Sequence, residues 1–146
     1  MDEPRHGHAS HSATPGRPRR QRLGMGLVGP GFVGVHHVDA VRRLGFADVV
    51  AIADVSAASA ARAARALHVS RSYGEIDAIV ADPDVDVVHV TTPNHLHARV
   101  TRAAIAHGKH VVSEKPLAMS AGEARDLLEA ANAAGAGRRR RVPGLP

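Results

Sequence analysis

The chain has 146 residues, the length of one ordinary domain with tails, and it contains no cysteine, which excludes disulfide frameworks, thiolate metal sites and cysteine nucleophiles. Phe32, Phe46 and Tyr73 are its only aromatic residues, too few to stack single-stranded nucleic acid, and no apolar run reaches the roughly 18 residues of a membrane-spanning helix. The formal charge of +5 belongs to the ends: residues 1–22 carry five arginines against Asp2 and Glu3, residues 138–141 are all arginine, and the body between them is slightly negative, so neither specific nucleic acid nor a membrane is an expected partner.

Residues 1–22 predict a disordered basic tail, because Pro4, Pro15 and Pro18 interrupt any helix and no apolar pattern recurs. Arg19-Arg20 stands before an apolar stretch, as in a twin-arginine export signal. Gly24, Gly26, Gly29, Pro30 and Gly31 break that stretch and no small-residue cleavage site follows, which favours a cytoplasmic location. His6, His8 and His11 are expected to be solvated, and no metal site is implied.

From Leu23 the pattern changes. Short Val/Ile-rich runs at 23–28, 48–53, 86–90 and 109–113, bounded by Gly, Asp or Pro, suit strands buried on both faces. After the first, Val35, Val38, Val41 and Leu44 stripe one face of a helix; after the second, Ser56 opens an alanine-rich helix. A short extended piece near Ser70–Ser72 reads as a further strand, and Ser72 with Glu75 has capping-box spacing. Leu96, Val100, Ala104 and His107 follow a helical period, and Ser120 with Glu123 again has capping-box spacing. This alternation predicts an α/β domain over residues 23–136, a doubly wound parallel sheet with right-handed crossovers and helices on both faces. Residues 137–146, an arginine run followed by Val142-Pro143-Gly144-Leu145-Pro146, predict a second irregular tail.

Gly29-Pro30-Gly31-Phe32-Val33-Gly34 is a G-x-G-x-x-G between the first strand and the first helix. Glycines there permit a tight turn, close approach of backbone to a pyrophosphate, and close helix–strand packing. Asp54 ends the second strand, where a carboxylate accepts from both hydroxyls of an adenosine ribose and repels a 2′-phosphate, favouring NAD over NADP. Thr91-Thr92-Pro93-Asn94 follows the 86–90 run and Glu114-Lys115-Pro116 follows the 109–113 run; the proline excludes helical geometry at Lys115 and leaves a cis bond open. Each feature has a plainer reading (a structural turn, a helix-capping aspartate, a solvated lysine), but all of them fall at carboxyl ends of strands, where open α/β sheets bind ligands.

Gly29–Gly34, Asp54, Thr92-Pro93-Asn94 with His97, and Gly108-Lys109-His110-Val111 leading into Glu114-Lys115-Pro116 resemble the amino-terminal NAD(P)-binding, Rossmann-like domain of the Gfo/Idh/MocA oxidoreductases over about residues 23–135. The resemblance implies hydride transfer between a nicotinamide dinucleotide and a hydroxyl carbon of a sugar, inositol or related polyol. It implies that Lys115 is the catalytic lysine, that Glu114 and Asn94 contact the nicotinamide ribose side, and that Thr92-Pro93 line the nicotinamide pocket. Phe32, Val33 and His97 are assigned to the cofactor site with their motifs. His36, His37, His95 and His97 are alternative proton carriers but have no evident partner, and they are left as helix or loop residues, with His97 also read as a packing residue of its motif. Family members continue into a second α/β domain that supplies the substrate pocket, a histidine partner for the lysine, and the oligomer interface. The expectation is therefore a truncated NAD(P)-binding half, weakly active or inactive alone and prone to self-association. The alternative is a non-catalytic dinucleotide-binding module that docks on a partner protein.

Overall fold

In a computed structural model that describes residues 22–135, five short strands pair in parallel: β1 (Leu23–Val28), β2 (Ala47–Ala53), β3 (Arg71–Tyr73), β4 (Val87–Val90) and β5 (His110–Ser113), in spatial order β3-β2-β1-β4-β5. The expected tails at 1–22 and 137–146, with His6, His8 and His11, lie outside the described residues except for Arg22. Five helices alternate with the strands: α1 (Phe32–Arg43), α2 (Ala57–Ala66), α3 (Ile76–Ala81), α4 (His97–Ala106) and α5 (Ala121–Gly135). The chain winds outward from β1 to β3, returns to β4 on the other side of β1, and so creates a switch point at the carboxyl ends of β1 and β4. The doubly wound parallel sheet follows from the sequence as expected.

Side chains alternate across the sheet and divide the core into two layers. Met25, Leu27 and Ile52 pack with Val38 and Val41 of α1 and Ala64 of α2 on one face. Val28, Val88 and Val90 pack with Ile79 and Val80 of α3 and Val100 and Ala104 of α4 on the other. β1 is central and can tolerate little bulk: a Cβ at Gly24 would sit 1.9 Å from the Asp84 carbonyl oxygen. The alanine-rich α2 buries only Ala60 and Ala64, and Ser56 caps it by accepting the Ser59 N–H at 3.1 Å.

Several local expectations are corrected. Leu44 is the C-cap of α1, half exposed, and does not extend the buried stripe, which ends at Val41. Ser72 lies in β3 and caps nothing; the N-cap of α3 is Glu75, without a side-chain cap bond, because strand pairing with Ile52 claims Ser72. The Ser120–Glu123 box forms in part: Ser120 Oγ accepts the Glu123 N–H at 3.2 Å, but the Glu123 carboxylate accepts the Met119 N–H, one residue before Ser120, at 3.0 Å. Arg22 belongs to the fold and not to a tail: its guanidinium donates to Asp48 at 2.9 Å and to the carbonyls of Gly45 and Ala47, clamping the start of β1 to that of β2.

Candidate functional site

Beyond Val28 the chain turns sharply, and its three motif glycines meet different requirements. Gly29 has φ of +91°, and a Cβ there would lie 2.7 Å from the Thr92 nitrogen; one at Gly34 would lie 2.6 Å from the Gly29 carbonyl oxygen. These two glycines let the β1–α1 turn close against the end of β4, where Thr91 Oγ1 donates to Gly29 O at 2.6 Å. Gly31 is different. Its Cβ would meet nothing within 4 Å, and it is the N-cap of α1 with no side chain capping the helix. The protein's own packing does not require glycine there, whereas an anion resting on the first turn of α1 would. Phe32 and Val33 flank this opening and are 84% and 40% exposed.

Asp54 follows β2 on the same edge. Its N–H donates to Tyr73 O at 3.2 Å, and Oδ1 accepts the Val55 N–H at 2.8 Å, which aims the carboxylate and leaves Oδ2 without a hydrogen-bond donor among the described residues.

The Thr91–Asn94 and Glu114–Pro116 loops lie side by side at the ends of β4 and β5, with the Glu114 N–H on Val90 O at 2.9 Å and a cis bond between Lys115 and Pro116. His97, at the start of α4, joins them. Its ring is 1% exposed, with Nδ1 2.6 Å from Pro116 O and Nε2 2.8 Å from Thr92 O. Both ring nitrogens are thus occupied by main-chain carbonyls, and His97 shapes the site by fixing the two loops together. Thr92 Oγ1 is buried with no hydrogen-bond partner among the described residues, an orphaned hydroxyl. Asn94 opens the turn that precedes α4, exposed like Pro93. Lys115 is exposed, and its ammonium has no hydrogen-bond or ion-pair partner among the described residues.

The other lysine behaves oppositely. Lys109 donates from Nζ to the carbonyls of Asp82 and Val85, both at 2.8 Å, at the amino edge of the sheet. A cavity of about 460 Å³ between α4, β5 and α5, lined by Thr101, Ile105, Leu117, Leu127 and Leu128, shares no residue with the glycine loop, Asp54 or the Thr92 loop.

One cluster escaped the sequence reading. His37, on α1, places Nε2 3.0 Å from Glu114 Oε1 and Nδ1 3.0 Å from His89 Nδ1, correcting the expectation that it lacks a partner. The His37 hydrogen bond holds the Glu114 carboxyl below the usual carboxylate range; partial burial opposes it, while the Lys115 N–H and the His37 and Lys115 charges assist. Burial, then the His37 charge, pushes His89 down to about 4. The linear signal is faint, since 52 and 77 residues separate His37 from its two partners.

An open helix start behind a glycine turn, an aimed acid after the next strand, an orphaned hydroxyl at the switch point and an unpaired lysine on the neighbouring loop after β5 define a dinucleotide-binding α/β domain. Residues 23–137 match the profile of the Gfo/Idh/MocA family, described as an oxidoreductase family with an NAD-binding Rossmann fold, and the chain belongs to that family. It is 40% identical over 110 residues to 1,5-anhydro-D-fructose reductase of Ensifer adhaerens, covering 75% of this chain and 33% of the relative. Among solved structures, an NAD-binding oxidoreductase from Klebsiella pneumoniae superposes with a TM-score of 0.76 at 44% identity, over 78% of this chain and 32% of that one. Levoglucosan dehydrogenase in complex with NADH and levoglucosan superposes with a TM-score of 0.72 at 36% identity, over 75% and 32%. The chain spans about a third of the length of these relatives.

Proposed function

We propose that this chain provides the NAD-binding and proton-handling part of an enzyme that transfers hydride to or from a hydroxyl carbon of a sugar, inositol or related polyol. The observation that carries this reading is the unpaired Lys115 ammonium, set on a loop that His97 ties to the Thr92 loop at the switch point. Bound NAD would supply the hydride acceptor. Gly29, Gly31 and Gly34 with the first turn of α1 take its pyrophosphate, flanked by Phe32 and Val33, and Asp54 takes the adenosine ribose. Thr92-Pro93 line the nicotinamide pocket, with Asn94 and Glu114 on the ribose side. Lys115 Nζ hydrogen-bonds the reacting oxygen: in the oxidation direction the neutral amine takes the hydroxyl proton as the C–H bond breaks and becomes the ammonium, and in the reverse direction the ammonium returns that proton to the oxygen.

Asp54 makes NAD the preferred cofactor over NADP, because a carboxylate with one free oxygen accepts from ribose hydroxyls and repels a phosphate. The named substrates of the relatives, an anhydrofructose and levoglucosan, support a sugar as the substrate class. Titration calorimetry on the 146-residue chain should show NAD binding more tightly than NADP, with the preference relaxed in Asp54→Ala. NADP binding at least as tight as NAD to the parent chain would remove the role given to Asp54. A steady-state assay over a polyol panel should find little turnover by this chain alone, since holding the reacting carbon against the nicotinamide can supply about 7–11 kcal/mol of barrier reduction and the Lys115 loop alone does not enclose a substrate. Robust turnover that disappears in Lys115→Ala would overturn that expectation and leave the lysine's role standing.

A further inference from the structure

We propose that His37 is a positioning residue that holds the Glu114 carboxylate at the cofactor site, with His89 fixing the tautomer of His37. The proposal rests on the reading above that Glu114 faces the nicotinamide side of the dinucleotide.

The chemistry of the three groups sets the protons. An ionised carboxylate only accepts, so the 3.0 Å contact with Glu114 Oε1 requires the proton on His37 Nε2. A neutral His37 then presents a lone pair at Nδ1. The 3.0 Å approach of His89 Nδ1 is a hydrogen bond in that state only if His89 carries its own proton on Nδ1. If His37 takes a second proton, it donates from Nδ1, and His89 answers with its lone pair and carries the proton on Nε2. In both states the proton between the rings has a donor and an acceptor, and the Nε2–H bond to Glu114 is unchanged. The rings meet edge to face, centroids 5.1 Å apart and planes at 88°, so the geometry is braced by packing as well.

The placement gives this chain its consequence. His37 stands on α1, the helix whose first turn begins after Gly31, while Glu114 immediately follows the edge strand β5. α1 packs on β1, β2 and β4. The His37 side chain therefore ties the loop that carries Glu114 and Lys115 to the helix that receives the pyrophosphate, and sets one end of the cofactor site relative to the other. His97 makes the corresponding connection from the opposite face, between the same loop and Thr92.

Two measurements on the 146-residue chain test the proposal: NADH titration by fluorescence, and ¹⁵N spectra of the imidazoles in mildly alkaline buffer. His37→Phe should weaken NADH binding about tenfold, the size expected for losing one hydrogen bond to a charged group. His37→Gln, whose amide N–H can replace Nε2–H, should recover affinity to within about threefold of the parent. Glu114→Ala should weaken binding about as much as His37→Phe, and the double variant should be no weaker than Glu114→Ala alone, because the two residues act as one unit. The spectra should show the proton on Nε2 of His37 and on Nδ1 of His89. Additive losses, a His37→Gln variant as weak as His37→Phe, or a neutral His37 beside a His89 protonated on Nε2 would each overturn the proposal. If the parent chain binds no NADH, the cofactor reading fails instead. The spectra then decide the chain: a His37 Nε2 resonance that moves in Glu114→Ala upholds it, and one that does not move overturns it.

Discussion

The two edges of the sheet use their polar side chains in opposite ways. At the amino edge charges are paired. Arg22 joins Asp48; Asp82, 5% exposed, accepts from Arg71, from the Tyr73 hydroxyl and from the Asp84 N–H; Asp86 accepts the Gly24 N–H; and Lys109 donates to two carbonyls. At the carboxyl edge Lys115, Thr92 Oγ1 and Asp54 Oδ2 have no hydrogen-bond partner among the described residues, and a Cβ at Gly31 would meet none of them within 4 Å. Of these three only Thr92 Oγ1 is fully buried, and buried polar groups are normally matched within the fold; its orphaned hydroxyl, like that of Thr101 in α4, is an exception to that rule. Position on a parallel strand thus sorts two chemically identical lysines into a structural brace and an exposed ammonium with no hydrogen-bond partner among the described residues.

The strongest way to break this comparison is to remove a group from each edge and measure stability. Asp82→Ala deletes the acceptor shared by Arg71, Tyr73 and the Asp84 N–H, and leaves a partly buried guanidinium without one of its carboxylates. Urea unfolding should show a loss of about 2–4 kcal/mol. Lys115→Ala should change stability by less than about 0.5 kcal/mol, as for an exposed residue without structural partners. Equal losses would show that the carboxyl edge is also held together by its charges.

A second, smaller contrast lies within the glycine loop. Gly34→Ala forces a methyl group to within 2.6 Å of Gly29 O and should cost about 1–3 kcal/mol of stability, read from the same unfolding curves. Gly31→Ala adds its methyl where nothing lies within 4 Å and should leave the unfolding midpoint nearly unchanged while weakening NADH binding, measured by fluorescence titration. A destabilised Gly31→Ala that still bound NADH normally would reverse the roles given to the two glycines.

Most of the fold and the candidate site are legible in the sequence because they rest on local signals. The strands are short apolar runs, rich in valine and isoleucine in β2, β4 and β5, and parallel pairing then carries Gly29, Asp54, Thr92 and Glu114 to one edge without further information. What was not legible depends on the phase of one element against another. His37 meets Glu114 only because its phase on α1 turns it toward β4 and β5. His89 joins them because it sits level with Val112 in the β4–β5 register, on the same face of the sheet. Ser72 shows the converse: its spacing to Glu75 satisfied a local rule, and strand pairing overrode it. Arg22 reads as tail from its basic neighbours, although its partner Asp48 lies near the start of β2, the strand paired with β1, which Arg22 immediately precedes.

The smallest expected effect separates the two edges by pH. His89 lies beneath the carboxyl-edge cluster, and burial with the nearby His37 charge lowers it from the usual 6.5 to about 4. In the unfolded chain this imidazole takes up a proton near pH 6.5, whereas in the folded chain it refuses one until about pH 4. Its contribution to stability is therefore fully present above pH 6.5, declines as the pH falls toward about 4, and is flat below that. Allowing for solvent screening of a ring that is not fully enclosed, the decline should amount to about 1–2 kcal/mol. The check is a series of urea unfolding curves across this window for the parent and for His89→Phe. The variant differs in absolute stability because His37 loses a partner, so the quantity to compare is the slope with pH. A shallower slope in His89→Phe assigns the acid sensitivity to the carboxyl-edge cluster. An unchanged slope would assign it to other histidines and show that His89 titrates alike in the folded and unfolded chains.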